Sequence, residues 1–423
     1  MYGAPNTDPC GSLVRSLYSG ADMQRSLNAD RSSASGRPPL QPDRRLRLLA
    51  PLAAAVALIP IALAFHRPLD FGRAYEGGLE AWSTGHPERL LTWTSTPWLA
   101  LIMAVVTRLA SLEVASWVFL GANVVVWGGL LFSVWRRFDR RVSDRWWWAT
   151  LIAAAVFSPA LSTIFWMQTN LMVLVLGLGG FALIGRRDRS AGLLIGLSIA
   201  LKPILVLLPF ALLLRRQSRA SGWWAIASAA TLSVVGFGFL AWRARNASVE
   251  LPIAYIESFL AKGRGPIVAC VPENYSPMAL LCRLGLPTSV PASIVVTASV
   301  LTVAWLLARR LRESRDQKWE LFAAVGLLSP MLGPIAWAHY QILLAPLMLL
   351  LAYQFWAEGA PARIWAGLVV AFLMTEVIWD PLESILGAPL PMVVFSYSLG
   401  QFAQYVILLT WARWLSLRKA SPV

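Results

Sequence analysis

Long apolar runs alternate with short polar segments along most of the chain. Each run has roughly 17 to 25 residues, about long enough to cross ~30 Å of hydrocarbon as an α-helix. Outer-membrane barrels instead show alternating segments of about 10 residues, and no such segments occur in this sequence. The pattern therefore predicts an all-α polytopic membrane protein with about twelve membrane segments, of which about ten are full spans and the others form a short hairpin.

The hairpin is predicted at residues 190–214, between the basic segments "RRDR" and "RRQSR". Short basic loops stay on the inner side of a membrane, so both ends of this stretch should lie there. Its length suffices for one crossing at about 1.5 Å per residue, and Lys202-Pro203 stands at its middle, where a proline breaks a helix. We therefore expect two half-helices with Lys202 near the tip. Full spans are predicted at 48–65, 114–135, 146–166, 169–185, 222–242, 291–308, 319–338, 341–357, 363–379 and 396–414.

The distribution of charge sets the expected topology. The net charge is +15, yet Lys and Arg cluster in short loops rather than on one basic face, which argues against nucleic acid as a partner. Residues 1–46 are polar and predict a disordered basic cytoplasmic tail. The domain that follows, residues 47–423, should begin with an uncleaved signal anchor. Both termini are expected on the cytoplasmic side of the plasma membrane. A first outer loop is expected at 67–112 and a second outer region at 243–290.

Two surface helices are expected in the first outer loop. The segment "PWLALIMAVVTRL" is too short to span the membrane and is interrupted by Arg108. The segment that begins at Asp70 has the spacing of an amphipathic helix. Asp70 could cap this helix or act as a chemical group at the membrane surface. The apolar face of the helix is formed by Phe71, Ala74, Tyr75, Gly78, Leu79 and Trp82.

Further polar candidates lie within or beside apolar segments, where such residues are costly. Each has a structural alternative, because a histidine can bond a helix-end carbonyl, amides can cap helices, and a lysine can reach toward a headgroup. The candidates are His339, Lys202, the turn with Gln168 and Asn170, and "ENYS" with Asn274 and Ser276. Most map to the outer side together with Asp70, and this placement suits attack on a polar group carried by a lipid.

Several kinds of site are disfavoured by what the sequence contains. Three cysteines are too few for a disulfide scaffold, although Cys270 and Cys282 could form one bridge. No HExxH motif occurs, and three scattered histidines make a poor zinc ligand set. The phosphate-binding glycine loops GxxxxGK[ST] and GxGxxG are also absent, so a nucleotide substrate on the inner side is not favoured.

Six stretches carry a family resemblance, in chain order "LDFGRAYEGGLEAWSTG", "TSTPWLALIMAVVTRL", "WMQTNLMVLVLGL", "AGLLIGLSIALKPILVLLPFALLLRR", "ENYSPMALLCRL" and "LLSPMLGPIAWAHYQILLAPL". Together they resemble motifs of the GT-C superfamily of polyprenyl-phosphate-sugar-dependent glycosyltransferases, and within it the actinobacterial PimE-like α-mannosyltransferases. The chain departs from these relatives at Met167, where the family turn often reads Gly-Gln-x-Asn, and at Thr94-Ser95-Thr96-Pro97 in the first loop.

The resemblance implies a GT-C-like catalytic domain that transfers mannose, with inversion, from a polyprenyl phosphate to a phosphatidylinositol mannoside or lipoglycan. By family position Asp70 is the general base, and His339 and Lys202 are expected to stabilise the departing phosphate. No cofactor is expected, because the residues present demand no metal ion. Substrate contacts are expected from Tyr75, Glu76, Trp93, Gln168, Asn170, Asn274, Ser276, Trp337 and Tyr340.

Two alternatives stay open at this point. The same fold could transfer another sugar, arabinofuranose or glucose, because sugar identity depends on pocket hydrogen bonds. A transporter or flippase for an anionic lipid-linked glycan could use the same hairpin and outer cavity without chemistry. The absence of an evident inverted repeat argues mildly against a transporter.

Overall fold

The computed structural model describes residues 69–90, 95–138, 152–153, 157–245, 250–264, 318–332, 338–375 and 402–415, with scattered positions between 274 and 302. Within these ranges the protein is all-helical and contains no β-strand. The tail 1–46 and the predicted first span at 48–65 lie outside the described residues.

Twelve α-helices are named below, numbered in chain order. They are α1 Leu69–Ser83, α2 Pro97–Leu109, α3 Leu112–Phe138, α4 Ser158–Phe165, α5 Asn170–Leu183, α6 Asp188–Leu201, α7 Leu207–Leu213, α8 Arg219–Ala244, α9 Glu250–Arg264, α10 Lys318–Leu332, α11 Ala345–Ala357 and α12 Ala362–Thr375. Short 3-10 helices occupy Pro87–Arg89, Pro203–Leu205, Arg216–Ser218 and Ala338–Leu344.

Three stretches of the described chain are long and apolar enough to cross a membrane: Leu112–Leu131, Arg216–Ala244 and Tyr340–Ala357. Large apolar side chains stay exposed on these helices, among them Val118 and Val125 on α3 and Val234 on α8. Such surfaces suit a lipid environment and are unusual in a soluble monomer. The protein is therefore a helical membrane protein. The predicted count of about twelve segments stays a prediction, because several of those segments fall wholly or partly outside the described residues.

The hairpin predicted around Lys202 is confirmed. Helix α6 ends at Leu201, Lys202 has extended backbone angles, and a 3-10 turn from Pro203 leads into α7. The two ends of the hairpin meet at the same level of α8. There Ser221 Oγ donates to Asp188 Oδ1 at 2.6 Å, and Gly222 lies against Leu213 and the carbonyl of Pro209. Because α6 has 14 residues, its tip lies about 21 Å from its base.

Close packing against α8 fixes the direction of the hairpin. A Cβ atom at Gly192 would lie 2.2 Å from Trp224 Cβ, and one at Gly196 would lie 2.5 Å from Ser228 Cβ. Such distances are well below van der Waals contact, so only glycine lets the two backbones approach this closely. The contacts advance along both helices together, so α6 and α8 run parallel.

The two helices predicted in the first loop are present, as α1 and α2, and their position at the membrane surface stays a prediction. They cross closely, since a Cβ at Gly78 would lie 2.6 Å from the backbone of Met103. The predicted inner face of α1 needs one correction. Leu79 is 48% exposed, whereas Ala81 is fully buried. These residues lie on opposite edges of the apolar stripe, and α2 and α8 cover only the edge that carries Ala81.

The surface helices and the basic loops lie at opposite ends of α8. The beginning of α8 contacts Asp188 of the "RRDR" segment. Its later turns contact the first loop instead, with Gly236 against Pro97 and Trp98. At the start of α2, Thr96 accepts from Leu99 N at 3.2 Å, and its hydroxyl donates to the carbonyl of Ala200 near the hairpin tip. The first loop and the hairpin tip therefore share one end of the bundle.

The second outer region is described in part. Helix α9 is joined to the first loop by Tyr255, whose hydroxyl donates to the Ser95 carbonyl at 2.6 Å. Cys282 is disulfide-bonded, which agrees with the expected capacity for one bridge. The other half of the predicted pair, Cys270, lies outside the described residues.

Candidate functional site

The carboxylate of Asp70, in the first turn of α1, accepts hydrogen bonds from two side chains. Arg73 Nη1 donates to Oδ1 at 3.1 Å, and Gln168 Nε2 donates to Oδ2. Neither oxygen accepts from a backbone N–H among the described contacts, so the helix-cap alternative is not what this carboxylate does. Its side chain is 21% exposed. Asp70 is thus fixed in position and still accessible.

The orientation of the Gln168 amide follows from its two neighbours. Lys202 Nζ donates to Gln168 Oε1 at 2.7 Å. An ammonium group can only donate and a carboxylate can only accept, so the amide must turn its oxygen to Lys202 and its NH₂ to Asp70. Gln168 therefore links the lysine to the aspartate through one rigid group.

The ammonium group of Lys202 is shared among three partners. Besides Gln168 it donates to Asn170 Oδ1 at 2.9 Å, and it lies 4.3 Å from the centre of the Tyr340 ring. Amide oxygens and an aromatic face are favourable surroundings for a partly buried cation. The tip of the hairpin, the turn between α4 and α5, and the 3-10 helix Ala338–Leu344 thus meet at this one charge.

The turn that carries Gln168 ends α4 in a defined way. Met167 has a positive φ of 51°, its N–H donates to the Ile164 carbonyl at 3.1 Å, and Gln168 N–H donates to the Thr163 carbonyl at 2.9 Å. These paired bonds form a Schellman motif, whose left-handed position usually holds glycine. Met167 stands where the resembled family often has glycine, so the turn keeps its shape with a residue that is sterically disfavoured there.

Opposing effects act on the pKa of Asp70. Burial raises the pKa of the Asp70 carboxyl above its ordinary value, while the positive charges of Arg73 and Lys202 and the Gln168 hydrogen bond oppose that rise. A carboxylate with a raised pKa is a stronger base than one in water. The arrangement can therefore accept a proton from a hydroxyl group placed against Asp70.

Four predicted site residues are brought together with Asp70, namely Lys202, Gln168, Asn170 and Tyr340. Tyr75 instead ties the surface helices together, since its hydroxyl donates to the Ala110 carbonyl at 2.9 Å. Glu76 is exposed, and none of its described contacts reaches the site. Asn274 and Ser276 are buried and form a local turn. In it, Asn274 Oδ1 accepts from Ser276 N at 3.0 Å.

The remaining predicted residues cannot be placed beside the site. Trp93 and Trp337 lie outside the described residues. His339 belongs to the 3-10 helix Ala338–Leu344 by its backbone, but its side chain is not among those described. Its expected role at the donor phosphate stays a prediction. So does that of Lys202.

Sequence reasoning missed Arg73 as a member of the site. Its side chain is 54% exposed, yet it reaches back to Asp70. The signal was present in the spacing, because side chains at i and i+3 of a helix are neighbours. Among the described residues no group of His, Cys, Asp or Glu side chains is arranged to hold a metal ion.

Comparison with known protein families supplies the deciding observation. The model of glycosyltransferase family 87 matches residues 93–334, more than half of the chain. The chain belongs to glycosyltransferase family 87. The matched region of this family 87 protein includes Gln168, Asn170 and Lys202. Asp70 and Tyr340 lie outside the matched region but contact Gln168 and Lys202, respectively. No curated protein and no solved structure shows significant similarity to the chain.

Family membership makes the protein a membrane glycosyltransferase, as the sequence motifs indicated. Family membership does not show that the protein is a PimE-like mannosyltransferase. The sugar, the acceptor and the linkage are taken up below as proposals.

Replacing Lys202 by methionine should separate two roles. If Lys202 acts by orienting Gln168, loss of the ammonium frees the amide, and kcat should fall roughly tenfold or more with little change in the KM of the donor. If Lys202 also holds and stabilises the donor phosphate, kcat should fall and the donor KM should rise with it, because the same charge contacts the phosphate of the bound donor. Steady-state kinetics with thermal unfolding as the folding control would check this, and a variant with unchanged kcat would contradict the orienting role.

Replacing Met167 by glycine tests the strain in the turn. Met167→Gly removes a buried side chain but relieves a left-handed backbone worth about 1–2 kcal/mol. Met348→Gly is the matched control, because Met348 is also buried but lies in helix α11, where glycine costs about 1 kcal/mol. We expect the midpoint of thermal unfolding to fall less for Met167→Gly than for Met348→Gly. Equal losses would show that the turn is unstrained.

Proposed function

We propose that this family 87 protein is an inverting α-mannosyltransferase that moves mannose from polyprenyl-phosphate-mannose to a lipid-linked mannoside. The proposed acceptor is of the phosphatidylinositol mannoside or lipomannan type, and the proposed linkage is α-1,2. The observation that carries the proposal is the fixed carboxylate of Asp70, oriented by Gln168 and Arg73 within a membrane glycosyltransferase. The choice of mannose rests on the motif resemblance described above.

Asp70 acts as the general base in this mechanism. Its carboxylate takes the proton of the acceptor hydroxyl as the hydroxyl oxygen attacks the anomeric carbon. The bond from that carbon to the phosphate oxygen breaks, and polyprenyl phosphate leaves with both electrons of the bond. Attack from the side opposite the phosphate inverts the configuration, so a β-linked donor gives an α-linked product.

The departing phosphate needs a cation or a hydrogen-bond donor beside it. Negative charge grows on the phosphate as it leaves, and a cation or hydrogen-bond donor nearby stabilises that charge. Lys202 and His339 are the proposed groups. Lys202 is joined to the base through Gln168, so one hydrogen-bonded chain would couple the group that gains a proton to the group that faces the phosphate.

The proposed location of the reaction is the outer face of the plasma membrane, with both termini on the cytoplasmic side. In support, the first loop and the hairpin tip share the end of α8 that is remote from "RRDR" and "RRQSR". Basic loops of this kind lie on the cytoplasmic side of membrane proteins. A lipid-linked donor suits this location, since nucleotide sugars are confined to the cytoplasm.

The catalytic role of Asp70 is tested by an isosteric substitution. Asp70→Asn should lower kcat by about 10²- to 10⁴-fold, the usual contribution of a general base, because the amide cannot accept the proton. Purified protein would be incubated with labelled polyprenyl-phosphate-mannose and phosphatidylinositol mannoside, and the linkage of the product determined. Glu113→Gln, in the exposed first turn of α3, is the matched control and should transfer mannose at the parent rate. Transfer by Asp70→Asn at that rate would refute the role.

Removing Arg73 should move the pH dependence in a defined direction. Arg73 lowers the pKa of Asp70, so Arg73→Gln should raise that pKa. Because only the ionised carboxylate accepts a proton, the acidic limb of the kcat/KM profile should shift to higher pH, while the rate at alkaline pH changes little. A profile measured across the acidic limb checks this, and a shift to lower pH would contradict it.

A further inference from the structure

Helix α1 carries a second polar cluster at the end opposite Asp70. The ring of Trp82 has the guanidinium carbon of Arg108 5.4 Å from its centre and that of Arg243 4.8 Å from it. Arg243 also donates from Nε to the backbone carbonyl of Trp82. We call Trp82, Arg108 and Arg243 the Arg–Trp clamp. Its arginines come from the last turns of two other helices, α2 and α8, so it is a tertiary arrangement.

The charge of the Arg–Trp clamp is not balanced within the described protein. Neither Arg108 nor Arg243 forms an ion pair with a described carboxylate, and the described ion pairs are Arg73–Asp70 and His86–Glu88. Glu80, on the same helix, accepts instead from the Thr84 hydroxyl at 2.7 Å. Two cations close to one ring repel each other, and an anion that contacts both would offset that repulsion.

The position of the Arg–Trp clamp relates it to the candidate site. Asp70 lies in the first turn of α1 and Trp82 in the last, which places them about 18 Å apart at 1.5 Å per residue. A helix keeps this separation fixed. It is comparable to the length of a short oligosaccharide, so a glycolipid headgroup lying along α1 could present a sugar hydroxyl at one end and a phosphate at the other.

Anchoring at the membrane interface is a simpler explanation of the Arg–Trp clamp. Tryptophan and arginine commonly mark the ends of membrane helices and contact bulk lipid. The other end of α8 shows such a pair, with Arg189 5.4 Å from the ring of Trp224. The Arg–Trp clamp differs because two arginines converge on one ring, and because that ring belongs to the helix that carries Asp70.

We propose that the Arg–Trp clamp binds the phosphate group of the anionic glycolipid acceptor, so that the acceptor glycan lies along α1 toward Asp70. This inference rests on the proposed function. Guanidinium groups suit the purpose because they offer planar pairs of donors to phosphate oxygens.

The test compares acceptors with and without the phosphate. Full-length purified protein would be assayed with polyprenyl-phosphate-mannose and either phosphatidylinositol mannoside or an uncharged alkyl mannoside with the same sugars. Arg108→Gln and Arg243→Gln should each raise the KM for the phosphate-bearing acceptor about tenfold, the size of one charge-assisted hydrogen bond. The KM for the uncharged acceptor should not change. Arg243→Lys should fall between, since it keeps the charge and loses the fork.

Arg189→Gln is the matched control, because it removes an arginine held over tryptophan at the other end of α8. It should leave the KM of both acceptors unchanged. The proposal is overturned if Arg243→Gln affects both acceptors alike, if it raises the KM of the donor instead, or if Arg189→Gln has the same effect. Thermal unfolding of each variant confirms that it is folded.

A binding measurement keeps this inference separate from the proposed function. Binding of fluorescent phosphatidylinositol mannoside to the Asp70→Asn protein would be measured with and without Arg243→Gln. About tenfold weaker binding with Arg243→Gln supports the Arg–Trp clamp even if no mannose transfer is found with the parent protein. Unchanged binding overturns the inference whatever the outcome of the transfer assay.

Discussion

The charge of Lys202 at the tip of a half-buried hairpin is the constraint on which the site depends. A partly buried ammonium group must be surrounded by hydrogen-bond acceptors, or it would destabilise the fold. Gln168 and Asn170 supply two oxygens and Tyr340 supplies a ring face. Because the two amides come from one turn and the ring from a distant part of the chain, bonding to one cation also brings the turn after α4 and the 3-10 helix that contains Tyr340 to the same point. Gln168 then has its amide nitrogen left for Asp70.

The scaffold behind this point is built for close approach. Glycines at 192 and 196 let α6 lie directly on α8, and Gly78 lets α1 cross α2. The Thr96 hydroxyl joins the start of α2 to the carbonyl of Ala200, next to the hairpin tip. The surface helices and the hairpin therefore form one unit around Asp70 and Lys202. This connection explains how a site can combine a residue of α1 with one from the hairpin tip.

Much of this could be predicted from sequence, for identifiable reasons. The hairpin followed from basic loops on both sides of a stretch too short for two spans, with Pro203 at its middle. The surface helices followed from length and from the apolar spacing after Asp70. Sequence could not show that Asp70 and Lys202 share Gln168, because that contact joins residues far apart along the chain. It also placed Leu79 on the inner face, since periodicity alone does not tell which edge of a stripe the neighbouring helices cover. The left-handed backbone of Met167 was indicated in the sequence only by a departure from the family turn, which often has glycine at this position.

The chain order of the partners of Lys202 bears on how the site is assembled during synthesis. A chain made from its N-terminus presents Asp70 first and the amides of Gln168 and Asn170 next, all before the lysine is added. The hairpin can therefore bring its charge into the bundle against acceptors that already exist. Tyr340 is added much later, after the amides that bond to the lysine. The hydrogen-bond partners of the most costly group of the site are thus already part of the chain when that group is synthesised.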